Sequence, residues 1–149
     1  MEKFRDHVYK TYLAENRPFY HITPNGNLPE ILANGLERRN IIGICCVLIP
    51  DEVIVRHILD TQLKTTDANH FTIIKIEPEK FGLTINELAR DQTTELTNIL
   101  HINIIRDRLL VSKSDVYSEI EADDAKIPDQ ETVINRAKEL RYQINVSVL

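Results

Sequence analysis

The sequence lacks the short motifs that mark the commonest nucleotide and metal sites. It contains only four glycines, and none stands in a G-x-G-x-x-G or a G-x-x-x-x-G-K-[ST] arrangement, which excludes a Rossmann turn and a P-loop. The patterns H-E-x-x-H, G-x-S-x-G and paired C-x-x-C are absent as well. Because the five histidines are scattered along the chain, their spacing proposes no metal site, and no metal is expected.

The sequence also has no apolar run long enough for a membrane helix and no secretory pattern among its first residues. These absences predict a cytoplasmic protein with no membrane partner. Basic residues are in the minority, since 18 lysines and arginines stand against 23 acidic residues and give a net charge of −5. A protein that binds nucleic acid without sequence preference is normally basic, so we expect no general affinity for nucleic acid.

Cysteine is rare, and the two cysteines, Cys45 and Cys46, are adjacent in an apolar run. On a strand, neighbouring side chains point to opposite faces, so these thiols cannot form an ordinary disulfide or hold a metal together. We expect them to serve as small apolar residues of a buried strand. Reduced thiols agree with the predicted cytoplasmic location.

The composition, with 42% hydrophobic and 28% charged residues, is that of one globular domain covering residues 1–149. No repeat, low-complexity segment or linker interrupts it. Periodicity and β-propensity predict helices at 2–15, 28–35, 50–61 and 132–142, and strands at 19–22, 42–49, 70–77, 99–105, 108–111 and 144–148. This order favours an α+β fold with a mostly antiparallel sheet and packed helices.

The segment 19–36 reads as a strand, a polar turn and a compact helix. Asn27 is expected to cap the helix, with Glu30 reaching back as in a capping box, and Gly35 supplies the left-handed residue that ends it. Three apolar side chains share one helical face and are expected to pack across the sheet: Leu28, Ile31 and Leu32.

This segment resembles the opening motif of the ADP-ribosyltransferase-like superfamily. The matching residues are Tyr20-His21-Ile22-Thr23 on the strand and the run from Leu28 to Leu36 on the helix. The resemblance covers residues 19–36. It implies a split, mostly antiparallel sheet and a protein that uses NAD as a substrate without a Rossmann turn.

The resemblance also implies three functional positions on three strands. The first falls on His21, which in families with a histidine here hydrogen-bonds the adenosine ribose, a role that a neutral imidazole fulfils. Tyr20, Thr23 and Asn25 are the neighbouring candidates for binding NAD. The alternative is that His21 only satisfies buried backbone groups at a strand end.

The other two positions depart further from the family pattern. The second strand normally carries an aromatic residue that stacks on nicotinamide, but here it reads Ile44–Leu48, without a ring. The third position falls on Glu95, whose carboxylate would stabilise the positive charge that develops on the ribose. Glu87 and Asp91 are alternative carboxylates, and His101 is a further polar side chain on the strand that follows. A solvated surface glutamate is the competing interpretation of Glu95.

Three functions remain open from the sequence. The first is transfer of ADP-ribose from NAD to a macromolecular target, which His21 and Glu95 favour. The second is RNA 2′-phosphotransfer on a related fold, for which four arginines offer positive charge: Arg38, Arg39, Arg106 and Arg108. The third is a non-catalytic domain that uses the same fold for protein interaction, which the missing ring favours.

Overall fold

The computed structural model describes residues 2–38, 43–63, 68–90, 100–122 and 126–148. Its helices are α1 (Glu2–Ala14), α2 (Leu28–Asn34), α3 (Glu52–Leu63), α4 (Pro78–Phe81) and α5 (Gln130–Val148). Its strands are β1 (Phe19–Pro24), β2 (Leu36–Glu37), β3 (Ile44–Val47), β4 (His70–Ile76), β5 (Leu88–Arg90), β6 (His101–Ile104), β7 (Arg108–Leu109) and β8 (Val116–Glu121). Single 3-10 turns cover Asn25–Asn27, Ile85–Glu87 and Lys113–Asp115.

Six of the strands form one sheet in the order β5-β6-β3-β1-β4-β8, and β2 pairs with β7 in a small second sheet. All pairings in the described part of the chain are antiparallel. The predicted single α+β domain with a mostly antiparallel sheet and packed helices is therefore confirmed. β1 lies inside the large sheet, between β3 and β4, and so carries the 19–24 segment into the middle of the fold.

Helices pack on both faces of the large sheet. Phe19 and Ile22 are three residues apart on β1, so their side chains point to opposite faces, and each belongs to a different apolar cluster. The Phe19 cluster includes the buried stripes of α1 and α5, whereas the Ile22 cluster includes Val55 and Leu59 of α3. Burial of these stripes supplies the main driving force for docking the helices.

α2 packs only in part as the sequence predicted, and it is not capped as predicted. Ile31 is buried in the Phe19 cluster, whereas Leu28 and Leu32 are half-buried and belong to neither cluster. No side-chain capping bond forms at Asn27, whose own backbone is already helical (φ −83°, ψ −12°) because the 3-10 turn runs directly into α2. The predicted capping box with Glu30 is therefore wrong.

Gly35 ends α2 at a position where a side chain would be strained. Its φ is +92°, and its N–H donates to the carbonyl oxygen of Ile31 at 2.8 Å. A Cβ at this position would lie 2.7 Å from Cγ of Arg108 on the small sheet. Glycine therefore allows both the turn and the close approach of β7.

Two secondary-structure predictions need correction. The segment 144–148 is not a terminal strand, because α5 continues through Val148. Val133, Ala137, Leu140 and Ile144 form one buried helical stripe, and Ile144 extends it by a turn. The strands β2, β5 and β8 are not among those that the sequence predicts. In β8, half-buried and exposed residues alternate, as expected for a strand at the edge of a sheet.

Candidate functional site

The candidate site lies where β1 and β3 separate. β1 pairs with β4 along its full length, from Phe19↔Ile76 to Pro24↔Phe71. Its pairing with β3, in the described part of the chain, consists of Tyr20↔Val47 alone. The two strands therefore diverge directly after Tyr20, and His21 is the next residue on β1.

His21 bridges this gap with its side chain. Its Nδ1 lies 2.7 Å from the main-chain carbonyl oxygen of Cys45 on β3. A carbonyl oxygen only accepts hydrogen bonds, so Nδ1 carries the proton, and in the neutral ring Nε2 is then an acceptor. The ring is half-buried, which leaves part of it exposed at the surface of the sheet.

A hydrogen-bonded group of neutral polar side chains continues from His21 along the same face. Thr23 is two residues beyond His21 and is paired in register with Thr72 of β4, and both threonines are buried. Thr72 Oγ1 donates to Asn25 Oδ1 at 2.6 Å, and Asn27 Nδ2 donates to Thr23 Oγ1 at 3.2 Å. The 3-10 turn after β1 thus folds both asparagine side chains back over the threonine pair.

Tyr20 lies on the opposite face of β1 from His21 and Thr23. Its ring packs edge-on against Tyr117 of β8, with 5.0 Å between ring centroids. Burial, with smaller contributions from Tyr117 and Glu77, raises the pKa of Tyr20 above its ordinary value. The structure thus brings His21, Thr23 and Asn25 together and separates Tyr20 from them.

The two thiols of β3 differ as the strand alternation predicts. Cys45 is exposed and Cys46 is buried, so the expectation that both would be buried holds only for Cys46. The Cys46 thiol contacts the carbonyl oxygen of Ile44 at 3.7 Å, and burial raises its pKa well above the usual range. β3 brings no aromatic ring to the site.

The predicted third position, Glu95, lies outside the described residues, as does Asp91. The strand that follows them can be placed. β6 begins at His101, whose Cα is paired with that of Val47, and Val47 is in turn paired with Tyr20. The first residue of β6 is therefore at the same level of the sheet as the start of β1. The two strands are about 10 Å apart, because β3 lies between them.

The alternative polar residues Glu87 and His101 have other surroundings. Glu87 accepts from Arg106 at 2.6 and 2.8 Å, and hydrogen bonding from this arginine, together with that from Thr84, holds the pKa of the carboxyl below its ordinary value. His101 is buried, and its pairing with Val47 places it on the Tyr20 face of the sheet. His101 therefore does not share the face that carries His21, and the carboxylate of Glu87 is engaged by Arg106.

Two of the four arginines proposed for phosphate binding form ion pairs with carboxylates. Arg106 makes the two-pronged pair with Glu87, and Arg108 Nη2 lies 2.8 Å from Glu37 Oε1. Arg39 lies outside the described residues. Positive charge at residues 106 and 108 is thus balanced by carboxylates within the fold.

Sequence reasoning missed Thr72 and Asn27 as members of the polar group. Thr72 stands between two apolar residues of a β-rich run, and only the register of β4 against β1 places it beside Thr23. The sequence predicts a helix cap at Asn27. The available signal was the spacing of the two asparagines, which a 3-10 turn brings to the same side as Thr23.

No family model, curated protein or solved structure matches the chain. Among the described residues, no three histidine, cysteine, aspartate or glutamate side chains are grouped as a metal site. None of the described helices has the length and apolar character needed to cross a bilayer.

Proposed function

We propose that this chain is an ADP-ribosyltransferase-like protein that binds NAD at the gap between β1 and β3 and transfers ADP-ribose to a macromolecular target. The observation that carries the proposal is the position of His21, the first residue of the motif match, in this gap beside Thr23 and Asn25. The three strands to which the resemblance assigns functional positions, β1, β3 and β6, are also consecutive neighbours.

The polar group suits the ribose of a dinucleotide. With Nδ1 of His21 donating to Cys45, Nε2 is the acceptor that a ribose hydroxyl requires. Thr23 and Asn25 add neutral donors and acceptors on the same face. Because each of these side chains is already hydrogen-bonded, to Cys45, Asn27 and Thr72 respectively, a ligand meets groups whose orientation is fixed before binding.

Glu95 is assigned the electrostatic role in the reaction. The bond between nicotinamide nitrogen and ribose C1′ breaks, and its electron pair leaves with nicotinamide. Positive charge develops on the ribose, and a nearby carboxylate stabilises it. A nucleophilic atom of the target then bonds to C1′ and releases its proton to solvent. The assignment rests on the motif resemblance and on the position of β6, which lies two strands from β1 in the sheet.

A non-catalytic domain is the second candidate, and the composition of β3 favours it. This strand offers Ile44, Cys45, Cys46 and Val47, none of which can stack on nicotinamide. RNA 2′-phosphotransfer is less favoured, because Arg106 and Arg108 are engaged with carboxylates.

The three accounts are separated by measuring NAD-dependent thermal stabilisation together with nicotinamide release. NAD at a hundred times its dissociation constant should stabilise the folded protein by about 2.7 kcal/mol. Glu95→Gln should keep this stabilisation and lose most of the turnover, because its charge acts mainly in the transition state. Glu30→Gln, an exposed site on α2, is the matched control and should leave both unchanged.

Each remaining outcome selects another account. If NAD stabilises the wild type but no nicotinamide is released, the absence of an aromatic ring on β3 is the reason for the lack of turnover. If NAD does not stabilise the wild type and no nicotinamide is released, the non-catalytic domain is the account that remains. Equal turnover by the wild type and Glu95→Gln removes Glu95 from the mechanism.

A further inference from the structure

The turn after β1 holds its two asparagines by opposite ends of their side-chain amides. Asn25 is held through its oxygen, which accepts from the hydroxyl of Thr72 at 2.6 Å. Asn27 is held through its nitrogen, which donates to the hydroxyl oxygen of Thr23 at 3.2 Å. The two distances agree with this polarity, because O–H···O bonds are usually about 2.7–2.8 Å long and N–H···O bonds about 2.9–3.0 Å.

The other end of each amide decides what the asparagine offers to a ligand. Among the residues that the structure describes, Asn25 and Asn27 make only these two side-chain hydrogen bonds, and both are half-buried. Gly26 between them is exposed, and a Cβ at that position would meet nothing within 4 Å, so the outer side of the turn is open. A ligand on that side meets a donor, Nδ2, at Asn25 and an acceptor, Oδ1, at Asn27.

Thr72 is the residue that makes Asn25 a donor. Its side chain is fully buried and in register with Thr23, so its hydroxyl cannot turn to solvent. If the amide of Asn25 turned over, Nδ2 would donate to Thr72, and the hydroxyl proton of Thr72 would lose the only acceptor that the described residues give it. A buried donor without a partner is costly, and this cost keeps Nδ2 of Asn25 pointing outward.

We propose that Asn25 donates from Nδ2 to an acceptor oxygen of the dinucleotide, and that Thr72 is the positioning residue that fixes this amide. The inference rests on the NAD site proposed above and assigns a direction to its hydrogen bonds. His21 has the opposite polarity, since its Nε2 accepts. The site thereby extends from β1 to β4, whose Thr72 acts on the ligand only through Asn25.

The same substitution at the two asparagines separates loss of the donor from addition of a charge. In Asn25→Asp, Thr72 keeps its acceptor, but the outward donor becomes a carboxylate oxygen that faces an acceptor oxygen of the ligand. In Asn27→Asp, the hydroxyl of Thr23 can donate to the carboxylate, and the outward atom is still an acceptor. Calorimetric titration of NAD should show an affinity loss of about tenfold or more for Asn25→Asp and of less than about threefold for Asn27→Asp.

Variants of Thr72 test its positioning role. Thr72→Val removes the hydroxyl and should weaken NAD binding about fivefold, but it should have no effect in an Asn25→Ala background, because the threonine acts through that asparagine. Thr72→Ser keeps the hydroxyl and should restore wild-type affinity. The two aspartate variants decide the proposal even if Thr72→Val does not fold, since both asparagines are only half-buried.

The outcomes distinguish this inference from the proposed function. Equal losses for Asn25→Asp and Asn27→Asp would overturn the donor role of Asn25 while leaving the NAD site in place. A loss for Thr72→Val that persists in the Asn25→Ala background would likewise overturn the positioning role alone. If the wild type does not bind NAD, the proposed function fails, and this inference fails with it.

Discussion

His21 closes the gap between two diverging strands by donating from Nδ1 to the main-chain oxygen of Cys45, at 2.7 Å. One contact thereby fixes both the tautomer and the orientation of the ring. It also holds β3 to β1 beyond the last paired residues of the two strands, Tyr20 and Val47.

The first prediction concerns the pH dependence of the Glu87–Arg106 pair. The pKa of Glu87 is lower in the folded protein than the ordinary value of 4.5, first because of hydrogen bonding from Arg106. A depressed folded-state pKa stabilises the protein above the unfolded value, and this contribution is lost as the pH falls through the folded-state pKa. Glu87→Gln should therefore be less stable than the wild type at pH 7.

Urea unfolding at several pH values measures this difference. The gap between wild type and Glu87→Gln should shrink as the pH falls from 7 to 3, whereas the exposed Glu30→Gln should show no such gap. A gap of constant size across this range would mean that the charge of Glu87 does not contribute.

The second prediction concerns Gly43, at the start of β3. Its φ is +111°, and a Cβ there would lie 2.7 Å from the carbonyl oxygen of Ile104 on β6. Gly43→Ala should destabilise the protein by about 1–3 kcal/mol, because the strained backbone and the clash act together. Gly26→Ala is the matched control, since a Cβ there meets nothing within 4 Å. Equal denaturation midpoints for the two variants would contradict the described strand geometry.

The third prediction concerns Asp51, which joins α3 to α5. Its Oδ1 accepts from the backbone N–H of Val53 at 3.0 Å, and its Oδ2 accepts from Arg136 at 2.7 Å. Asp51→Ala should cost about 1–2 kcal/mol through loss of the helix cap alone. Asp51→Asn should cost less, because asparagine still caps a helix but no longer pairs with the guanidinium. Thermal unfolding that ranks the alanine and asparagine variants equally would exclude the cap as the main contribution.

The sequence predicts those parts of the fold that depend on local chemistry. The helix at 28–34 and the alternation of Cys45 and Cys46 follow from spacing within a few residues. The alternation of side chains along a strand also requires His21 and Thr23 to lie on one face of β1 and Tyr20 to lie on the other. The prediction of a strand at 144–148 is wrong because the β-branched residues there resemble a strand locally, whereas Ile144 completes a buried helical stripe that begins at Val133.

Much of the site depends on strand register, which local patterns do not specify. Thr72 joins Thr23 only because β4 pairs with β1 in one particular register. These partners are distant in sequence, and a shift by one residue would move each side chain to the other face.

The central claim is that His21 holds NAD at the gap between β1 and β3, and calorimetric titration of NAD tests it most directly. We expect the wild type to bind NAD and His21→Ala to bind it about tenfold more weakly, as for the loss of one hydrogen bond. The variant His7→Ala, at an exposed position, should match the wild type. No binding heat with the wild type, or equal affinity for the wild type and His21→Ala, would contradict the claim.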